Sequence, residues 1–333
     1  MIVDSSASTR IDLAGGTLDL WPLYLFHHDA QTVNCAITLR ARCTLRARTD
    51  GRIGLSSRDT GGRIDSDDYA ALKAAPALRL LGCLLEQFDV RGIEMETSSD
   101  SPVGAGIAGS SALNVAVCAA LARWRGLVLS DDDLLRIAMD VEALAIGVPT
   151  GVQDYRPALY GGVAAVELRA GEIRRVALDV DVQALSDRLV LAYTGASRHS
   201  GINNWDIFKR HIDGDLRISE LFDRIRDAAV GARRALIAGD WPEVARQMAL
   251  DWATRKQLAP GVTTPTIEAL IAGASSAGAR AAKVCGAGGG GCLVCFCDPA
   301  DKKAVAGALA AGGAQVLDCA VDPSGLQVRV THG

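Results

Sequence analysis

The stretch SSDSPVGAGIAGSSAL, at residues 98–113, limits most strongly what this chain can fold into and do. Three of its glycines, Gly104, Gly106 and Gly109, are spaced as G-x-G-x-x-G, and a Ser-Ser pair then leads into an apolar, alanine-rich run. Glycine lets a backbone approach a phosphate closely, and the free N–H groups at a helix N-terminus bind phosphate oxygens. The stretch therefore predicts a phosphate-binding loop that opens a helix. An ordinary glycine-rich turn before a capped helix is the alternative.

Two common nucleotide-binding motifs fit this stretch poorly. A dinucleotide fingerprint follows its strand directly and has an acidic residue about 20 positions further on. Here SSDSP separates Gly104 from the preceding predicted strand, and the acidic run at 131–133 is typical of a helix start. A Walker A loop needs a lysine before its Ser or Thr, and this loop has none. The pattern therefore favours a triphosphate site over a nicotinamide site, with a serine hydroxyl that caps the helix or faces a metal ion.

Composition argues against several classes of partner. The 333 residues carry a net charge of -4, which gives no basic excess for nucleic acid or acidic membrane surfaces. No apolar run approaches about 18 residues and no signal-peptide pattern begins the chain, so we expect a cytoplasmic protein without a membrane span. Nine cysteines in apolar runs predict reduced, buried thiols. Cys292, Cys295 and Cys297 lie close together but lack a second pair, so their run predicts a buried strand rather than a metal site.

Hydrophobic patterns predict a mixture of strands and helices without regular β-α-β alternation, which favours an α+β fold. The sequence becomes predominantly helical from about residue 190, which predicts two domains over 1–190 and 191–333. The predicted helices outside the glycine stretch cover 78–88, 130–146, 217–238, 241–257, 264–277 and 301–311. The predicted strands include 33–48, RGIEMET, GVAAVEL, RLVLAYTG, AAKV, CLVCFC, AQVLDCAV and LQVRV.

Four stretches, in order along the chain, resemble motifs of the GHMP kinase family (galacto-, homoserine, mevalonate and phosphomevalonate kinases). STRIDLAGGTLDL at 8–20 is similar to the N-terminal motif of the sugar-kinase branch, and SPVGAGIAGSSAL at 101–113 is similar to the phosphate-binding motif. GVQDYRPALYGG at 151–162 resembles the segment with the catalytic aspartate. KVCGAGGGGCLV at 283–294 resembles the C-terminal glycine motif almost letter for letter.

The resemblance implies a two-domain α+β fold, with an N-terminal domain like ribosomal protein S5, a ferredoxin-like C-terminal domain and an active site between them. It implies a kinase that uses ATP and Mg²⁺ to phosphorylate a hydroxyl of a sugar or sugar phosphate. The anomeric hydroxyl of a heptose 7-phosphate is the first candidate acceptor. The alternatives are a kinase of a mevalonate-like acid alcohol and a non-catalytic relative that binds sugar or nucleotide. A homodimer is left open.

The resemblance also assigns the residues of the reaction centre. Asp154 would accept or orient the proton of the acceptor hydroxyl, and Arg10 would stabilise charge on the transferred phosphoryl group. Glu142 and Ser110 would hold Mg²⁺, with Ser111 as the neighbouring candidate. The plainer interpretations are a turn aspartate, a surface arginine and a solvated helix acid.

Two larger sets of residues are implied for the ligands. The ATP-binding set is Pro102, Gly104, Ala105, Gly106, Ile107, Ala108, Gly109, Ser110 and Ser111. The substrate-binding set is Asp19, Gly16, Thr17, Gln153, Arg198, Gly288 and Gly289. The histidine pair at 27 and 28 is a weaker candidate for substrate contact and is more typical of a polar surface.

The chain departs from the family at two places that bear on the acceptor. Galactokinases have Gly-Glu-His-Thr-Asp where this chain has Gly-Gly-Thr-Leu-Asp at 15–19, which argues against galactose. Heptose-phosphate and related kinases carry the more similar Gly-Gly-Gly-Thr-Asp. Asp154 is followed by Tyr155 and Arg156 rather than the Gln-Tyr or Gln-Phe of many sugar kinases, so substrate contacts are expected to differ there.

Overall fold

The computed structural model describes residues 1–196 and 204–332. Its strands are β1 (Ile2–Ala14), β2 (Gln31–Ala47), β3 (Ile53–Ser57), β4 (Arg63–Ser66), β5 (Ile93–Ser99), β6 (Val163–Arg169), β7 (Glu172–Ala177), β8 (Leu189–Tyr193), β9 (Ala279–Val284), β10 (Cys292–Cys297), β11 (Gln315–Leu317) and β12 (Gln327–Thr331). Its α-helices are α1 (Tyr69–Ala74), α2 (Arg79–Gln87), α3 (Gly109–Trp124), α4 (Asp131–Ile146), α5 (Tyr155–Tyr160), α6 (Val182–Ser186), α7 (Asn204–Ile212), α8 (Leu216–Ala238), α9 (Trp241–Arg255), α10 (Pro265–Ser276) and α11 (Lys302–Ala311). The mixed, non-alternating order of elements confirms the α+β prediction.

The larger sheet is built around two long strands, β1 and β2. Its strand order is β12-β1-β2-β5-β3-β4, and the first residues of β2 also pair with β6, which in turn pairs with β7. β3 and β5 run parallel, whereas the other pairs in this sheet are antiparallel. The second half of β1 is buried on both faces, which explains why its sequence does not alternate as an exposed strand would.

Helix α3 packs against β1 and β2 on one side and α4 on the other. Eleven of the 16 residues of this helix are buried, which agrees with its apolar, alanine-rich sequence. The small side chains let the helix lie close to the sheet. As a result the N-terminus of α3, where the glycine stretch ends, is held rigidly at the edge of this core.

The smaller sheet has the strand order β11-β8-β10-β9, and α9, α10 and α11 pack near it. All six residues of β10 are buried, so the prediction of a buried strand for CLVCFC is confirmed. The six predicted helices agree with α2, α4, α8, α9, α10 and α11 to within two residues at each end. Helices α1, α5, α6 and α7 were not predicted.

One apolar cluster is shared by the two sheets, in addition to clusters that belong to each sheet. Ile11 and Val33 of the larger sheet pack in the same cluster as Leu191 and Val294 of the smaller sheet. β8 spans the predicted division between residues 190 and 191, and β12 returns from the C-terminal half to pair with β1. The domain limits 1–190 and 191–333 therefore stay a prediction. In the described ranges, we find no helix with the length and apolarity needed to cross a bilayer.

Candidate active site

A cavity of about 990 Å³ lies where the glycine stretch, the end of β1 and the loop before α5 meet. Segments from both halves of the chain line it, including Phe208 of α7 and Arg255 of α9. We divide its lining into two regions and name them, after the ligands that the family resemblance implies, the nucleotide end and the acceptor end. The nucleotide end is lined by Ser57, Asp59, Thr60, Ala77, Leu80, Leu81, Ser99, Val103 and Leu113, and the acceptor end by Asp12, Gly16, Thr17, Asp19, Leu20, Trp21, Gln153, Phe208 and Arg255.

In this cavity the buried Arg10 forms an ion pair with the half-buried Asp154. Arg10 Nη2 and Nε lie 2.7 and 3.0 Å from Asp154 Oδ1, and Arg10 Nη1 donates to the carbonyl of Gly106 at 3.1 Å. Burial opposes the charge of Arg10, but the carboxylates of Asp154 and Asp12 raise its pKa above the usual value. Arg10 is 2% exposed, so it is not a surface arginine. The pair places a fixed cation beside both a carboxylate and the glycine loop.

The carboxylate of Glu142 accepts hydrogen bonds from three hydroxyl groups near the start of α3. Ser110 Oγ donates to its Oε1 at 2.8 Å, while Ser111 Oγ and the Tyr155 hydroxyl donate to Oε2 at 3.0 and 2.6 Å. Glu142 is 4% exposed, which excludes a solvated helix acid. Burial raises the pKa of Glu142, although the three hydroxyl groups oppose the shift. Ser110 is exposed and Ser111 is buried, so Ser110 is the more accessible of the two.

The N-terminus of α3 is left free for a ligand. Its N-cap, Ala108, has a left-handed φ of 59°, and no side chain caps the helix. The serine hydroxyls that could cap it are instead directed to Glu142. Because the N-terminal N–H groups of this 16-residue helix border the cavity, they can bind an anion there.

The backbones of the two glycine motifs are in close contact. A Cβ on Gly106 would lie 2.6 Å from the carbonyl oxygen of Cys285, and one on Gly291 would lie 2.6 Å from that of Ala105. The N–H of Cys292 donates to the same Ala105 oxygen at 2.6 Å. Glycine at these two positions is therefore required for the close contact of backbone with backbone.

Most of the C-terminal glycine motif lies outside the cavity lining. Gly286 lines the cavity, but Gly288 and Gly289 do not. Gly289 instead donates its N–H to the carbonyl of Val262 at 2.9 Å, and a Cβ on Gly288 would collide with the same oxygen. A role of Gly288 and Gly289 in substrate binding stays a prediction.

At the acceptor end, Asp19 and Gln153 form a buried polar pair. The Gln153 N–H donates to Asp19 Oδ2 at 3.0 Å, and Gln153 Nε2 donates to Oδ1 at 3.3 Å. Burial, and then the negative charge of Asp154, raise the pKa of Asp19 to about 7. Gly16 and Thr17 line the cavity beside this pair.

The remaining predicted residues lie away from the cavity lining or outside the described ranges. Ile107 is fully buried, and its carbonyl accepts the N–H of Arg10 at 3.0 Å. Arg198 lies outside the described residues. His27 is buried, with Nδ1 3.0 Å from an Asp223 carboxylate oxygen. The side chain of His28 is 90% exposed, and neither histidine lines the cavity.

Sequence reasoning missed a buried quartet of charges under the acceptor end. Lys283 Nζ lies 2.6 Å from Asp251 Oδ2 and 3.4 Å from Asp12 Oδ1, and Arg255 Nη1 lies 3.2 Å from Asp12 Oδ2. All four side chains are at most 3% exposed. Burial alone would raise the pKa of Asp12, but Lys283 and Arg255 hold it below its usual value. For Asp12, Asp251 and Lys283, the apolar residues on either side in the sequence were the available signal, whereas Arg255 lies between Thr254 and Lys256.

The quartet holds segments of both halves together. Asp251 Oδ1 accepts the N–H of Gly15 at 2.9 Å, and Arg255 donates to Thr17 Oγ1 and to the carbonyl of Gly286. These contacts join the loop after β1 to the C-terminal glycine motif. The quartet therefore holds in place the segments that lie under the acceptor end.

The sequence matches two descriptions of one family. Residues 73–162 match "GHMP kinases N terminal domain" and residues 232–315 match "GHMP kinases C terminal". Together the two matches span more than half of the chain and contain the glycine loop, Glu142, Asp154 and the C-terminal glycine motif. The two matches support the predicted two-domain family fold.

Individual relatives agree with this assignment. The chain is 28% identical over 304 residues to the D-glycero-alpha-D-manno-heptose 7-phosphate kinase of Campylobacter jejuni, covering 88% of each protein. It is 26% identical to the mevalonate kinase of Pyrococcus abyssi, covering 88% of this chain and 90% of the relative. Its fold is similar, with a TM-score of 0.77 and 24% identity, to a D-glycero-D-manno-heptose 1-phosphate kinase from Bacteriodes thetaiotaomicron, covering 99% of this chain and 100% of that one. The chain therefore belongs to the GHMP kinase family.

Proposed function

We propose that this protein transfers the γ-phosphoryl group of ATP to a hydroxyl of a sugar or sugar phosphate. The observation that carries the proposal is the Arg10–Asp154 ion pair beside the free N-terminus of α3, at the junction of the nucleotide and acceptor ends. This arrangement places a cation, an anion-binding helix end and a carboxylate around one point. Phosphoryl transfer depends mainly on such positioning and charge stabilisation.

We expect ATP to bind in this cavity in one direction. The free N–H groups of α3 and the backbone of the glycine loop would hold its phosphates. The nucleotide end, lined by apolar Leu80, Leu81 and Leu113 with Ser57 and Asp59 nearby, would take the base. This direction puts the terminal phosphate toward Arg10 and Asp154.

Asp154 would then act on the acceptor, and Arg10 on the phosphoryl group that is transferred. Asp154 would orient the acceptor hydroxyl and accept its proton as the new O–P bond forms. Arg10 would stabilise the negative charge of the transferring phosphoryl group, a task that its raised pKa suits because the guanidinium stays protonated. The backbone carbonyl of Gly106 and the Asp154 carboxylate keep the guanidinium in place.

The residues around Glu142 fit Mg²⁺. Mg²⁺ prefers one or two protein oxygen ligands together with phosphate oxygens and waters. Glu142 and Ser110 both line the cavity and offer only oxygen ligands, and a bound cation would offset the cost of burying the carboxylate. Mg²⁺ would neutralise charge on the phosphates of ATP. Ser111 and Tyr155 would orient the Glu142 carboxylate from behind.

Glu142→Gln is expected to reduce the extra stability that Mg²⁺ gives to the protein in the presence of ATP. In the wild type, ATP with Mg²⁺ should raise the melting temperature well above the value with ATP and EDTA. The variant loses the ligand charge, so this Mg²⁺-dependent gain should shrink by at least half. Thermal unfolding with and without the cation measures it. Glu220→Gln, outside the cavity lining, serves as control, and an unchanged gain in Glu142→Gln would remove Glu142 from the metal site.

A sugar phosphate such as a heptose 7-phosphate is the leading acceptor, phosphorylated at its anomeric hydroxyl. The similarity to a heptose 7-phosphate kinase over 88% of both chains supports this choice. A mevalonate-like acid alcohol is the second candidate, because a mevalonate kinase is similar over almost the same length. A cytoplasmic location and a homodimer stay predictions.

The function is tested by measuring ADP release from ATP and Mg²⁺ with a panel of acceptors. The panel contains heptose 7-phosphate, fucose, galactose, glucuronate, mannose and mevalonate. We expect turnover with a sugar or sugar phosphate and little with mevalonate. Turnover with mevalonate alone would show that the acceptor is an acid alcohol and not a sugar. ATP binding without turnover on any acceptor would instead support a non-catalytic relative.

A further inference from the structure

Trp21 is an unexplained residue of the cavity lining. It follows the loop after β1 and lies directly before a short 3-10 helix at Leu23–Phe26. Its side chain is one of the largest apolar groups in the protein, yet it is 67% exposed. Leu20 and Phe208 line the same acceptor end, so the wall that Trp21 belongs to is apolar. A large aromatic surface exposed in a cavity is available to a ligand.

Polar hydrogen-bond acceptors lie close to Trp21 in the sequence, at Asp19, two residues earlier in the same loop. Each oxygen of the Asp19 carboxylate accepts one hydrogen bond from Gln153, although a carboxylate can accept about four. Gln153 is 4% exposed, and its Oε1 has no hydrogen-bond partner among the described residues. A buried acceptor without a partner is costly unless a ligand or water donates to it. Asp19 and Gln153 therefore offer several unfilled acceptor positions beside the aromatic wall.

This combination matches the chemistry of a sugar. A sugar ring presents hydroxyl donors around its edge and an apolar surface of C–H groups on its face. The hydroxyls suit the unfilled acceptors of Asp19 and Gln153, and the C–H face suits the indole of Trp21. A short acid alcohol would bring a carboxylate toward Asp19 and would have no ring face to cover Trp21. The acceptor end therefore favours the sugar among the two candidate classes.

We propose that Trp21 is the stacking surface for the acceptor sugar, which it binds by its C–H face while Asp19 and Gln153 take its hydroxyls. This inference rests on the proposed function, because it concerns the acceptor of the same reaction. Trp21 acts in binding, not in phosphoryl transfer, since the charged groups of the reaction centre are Arg10 and Asp154. Its loss should therefore raise the KM for the sugar and leave kcat and the KM for ATP nearly unchanged.

The test compares Trp21→Ala with Trp21→Phe, which keeps an aromatic face. With the sugar that the wild type phosphorylates best in the acceptor panel, Trp21→Ala should raise the KM for that sugar about tenfold or more, and Trp21→Phe should restore most of the affinity. Phe26→Ala is the matched control, because Phe26 is also exposed and follows in the same segment but does not line the cavity. Unchanged urea unfolding midpoints will show that the variants fold normally.

A second readout does not depend on turnover. Adding the same sugar without ATP should change the tryptophan fluorescence of the wild type, and this change should be absent in Trp21→Phe. If the wild type phosphorylates a sugar but Trp21→Ala leaves the KM for that sugar unchanged, the inference is overturned and the proposed function stands. If the wild type phosphorylates no sugar, the proposed function fails and this inference fails with it.

Discussion

Asp154→Asn is expected to lower kcat by about 10²- to 10⁴-fold, the usual contribution of a general base. The amide cannot accept the proton of the acceptor hydroxyl, but its oxygen can still accept the hydrogen bonds that Arg10 makes to Asp154 Oδ1. The substitution therefore removes the base with little change in the shape of the site. The KM for ATP should stay within a few-fold, because the glycine loop and α3 do not contact the altered atom. Steady-state ADP release with the best acceptor measures both constants.

The control for this substitution is Asp227→Asn. Asp227 is an exposed acid on α8 that pairs with Arg226 and lies outside the cavity lining, so its substitution should leave kcat unchanged. If Asp154→Asn retained turnover within a few-fold of the wild type, Asp154 would not be the base. The proton would then leave without help from this carboxylate, and catalysis would depend on Arg10 and the bound cation.

Lys283→Met is expected to lower the free energy of unfolding by about 3–5 kcal/mol, the usual cost of removing one partner of a buried ion pair. Lys283 is fully buried and contacts both Asp251 and Asp12, so its loss removes the ion pair of Asp251 and leaves Asp12 paired with Arg255. Methionine keeps the length and apolar volume of the lysine stem, which limits the loss to the charge. Urea unfolding followed by circular dichroism measures the change.

Arg280→Met is the matched control for the buried lysine. Arg280 belongs to the same strand, β9, but its side chain is 49% exposed and pairs with Asp298 at the surface. Exposed ion pairs contribute about 0–1 kcal/mol, so this variant should unfold close to the wild type. Equal losses in the two variants would contradict the structural role of the quartet. A large loss in Lys283→Met alone would confirm it.

The sequence predicted the parts of the fold that carry strong local patterns. Helices such as α8 and α9 have clear apolar periodicity and an aspartate N-cap, so their limits could be predicted closely. Helix α7 is amphipathic but was missed, because its nine residues give a shorter pattern than the 23 residues of α8 and the 15 of α9. β1 was missed for a different reason: its second half is buried on both faces and carries Arg10 and Asp12, so neither alternation nor a continuous apolar run marks it.

Some residues of the candidate site could likewise be predicted from the sequence, and others could not. Motif resemblance identified Arg10, Glu142 and Asp154, and the structure brings all three to one cavity. It could not identify Lys283 and Asp251 as partners, because their contact depends on how α9 packs against β9. Trp21 was missed because an exposed tryptophan is visible only once the burial of its neighbours is known.

The contact between the two glycine motifs has a consequence for how the ligands influence each other. Ala105 in the phosphate loop and Gly291 at the start of β10 touch through their backbones, so neither segment can shift without displacing the other. The C-terminal segment also carries Gly286, which Arg255 joins to Thr17 in the acceptor end. We therefore expect the binding of nucleotide and of acceptor to be coupled: ordering of either segment by one ligand would lower the entropic cost of binding the other, and by thermodynamic linkage the effect would be mutual.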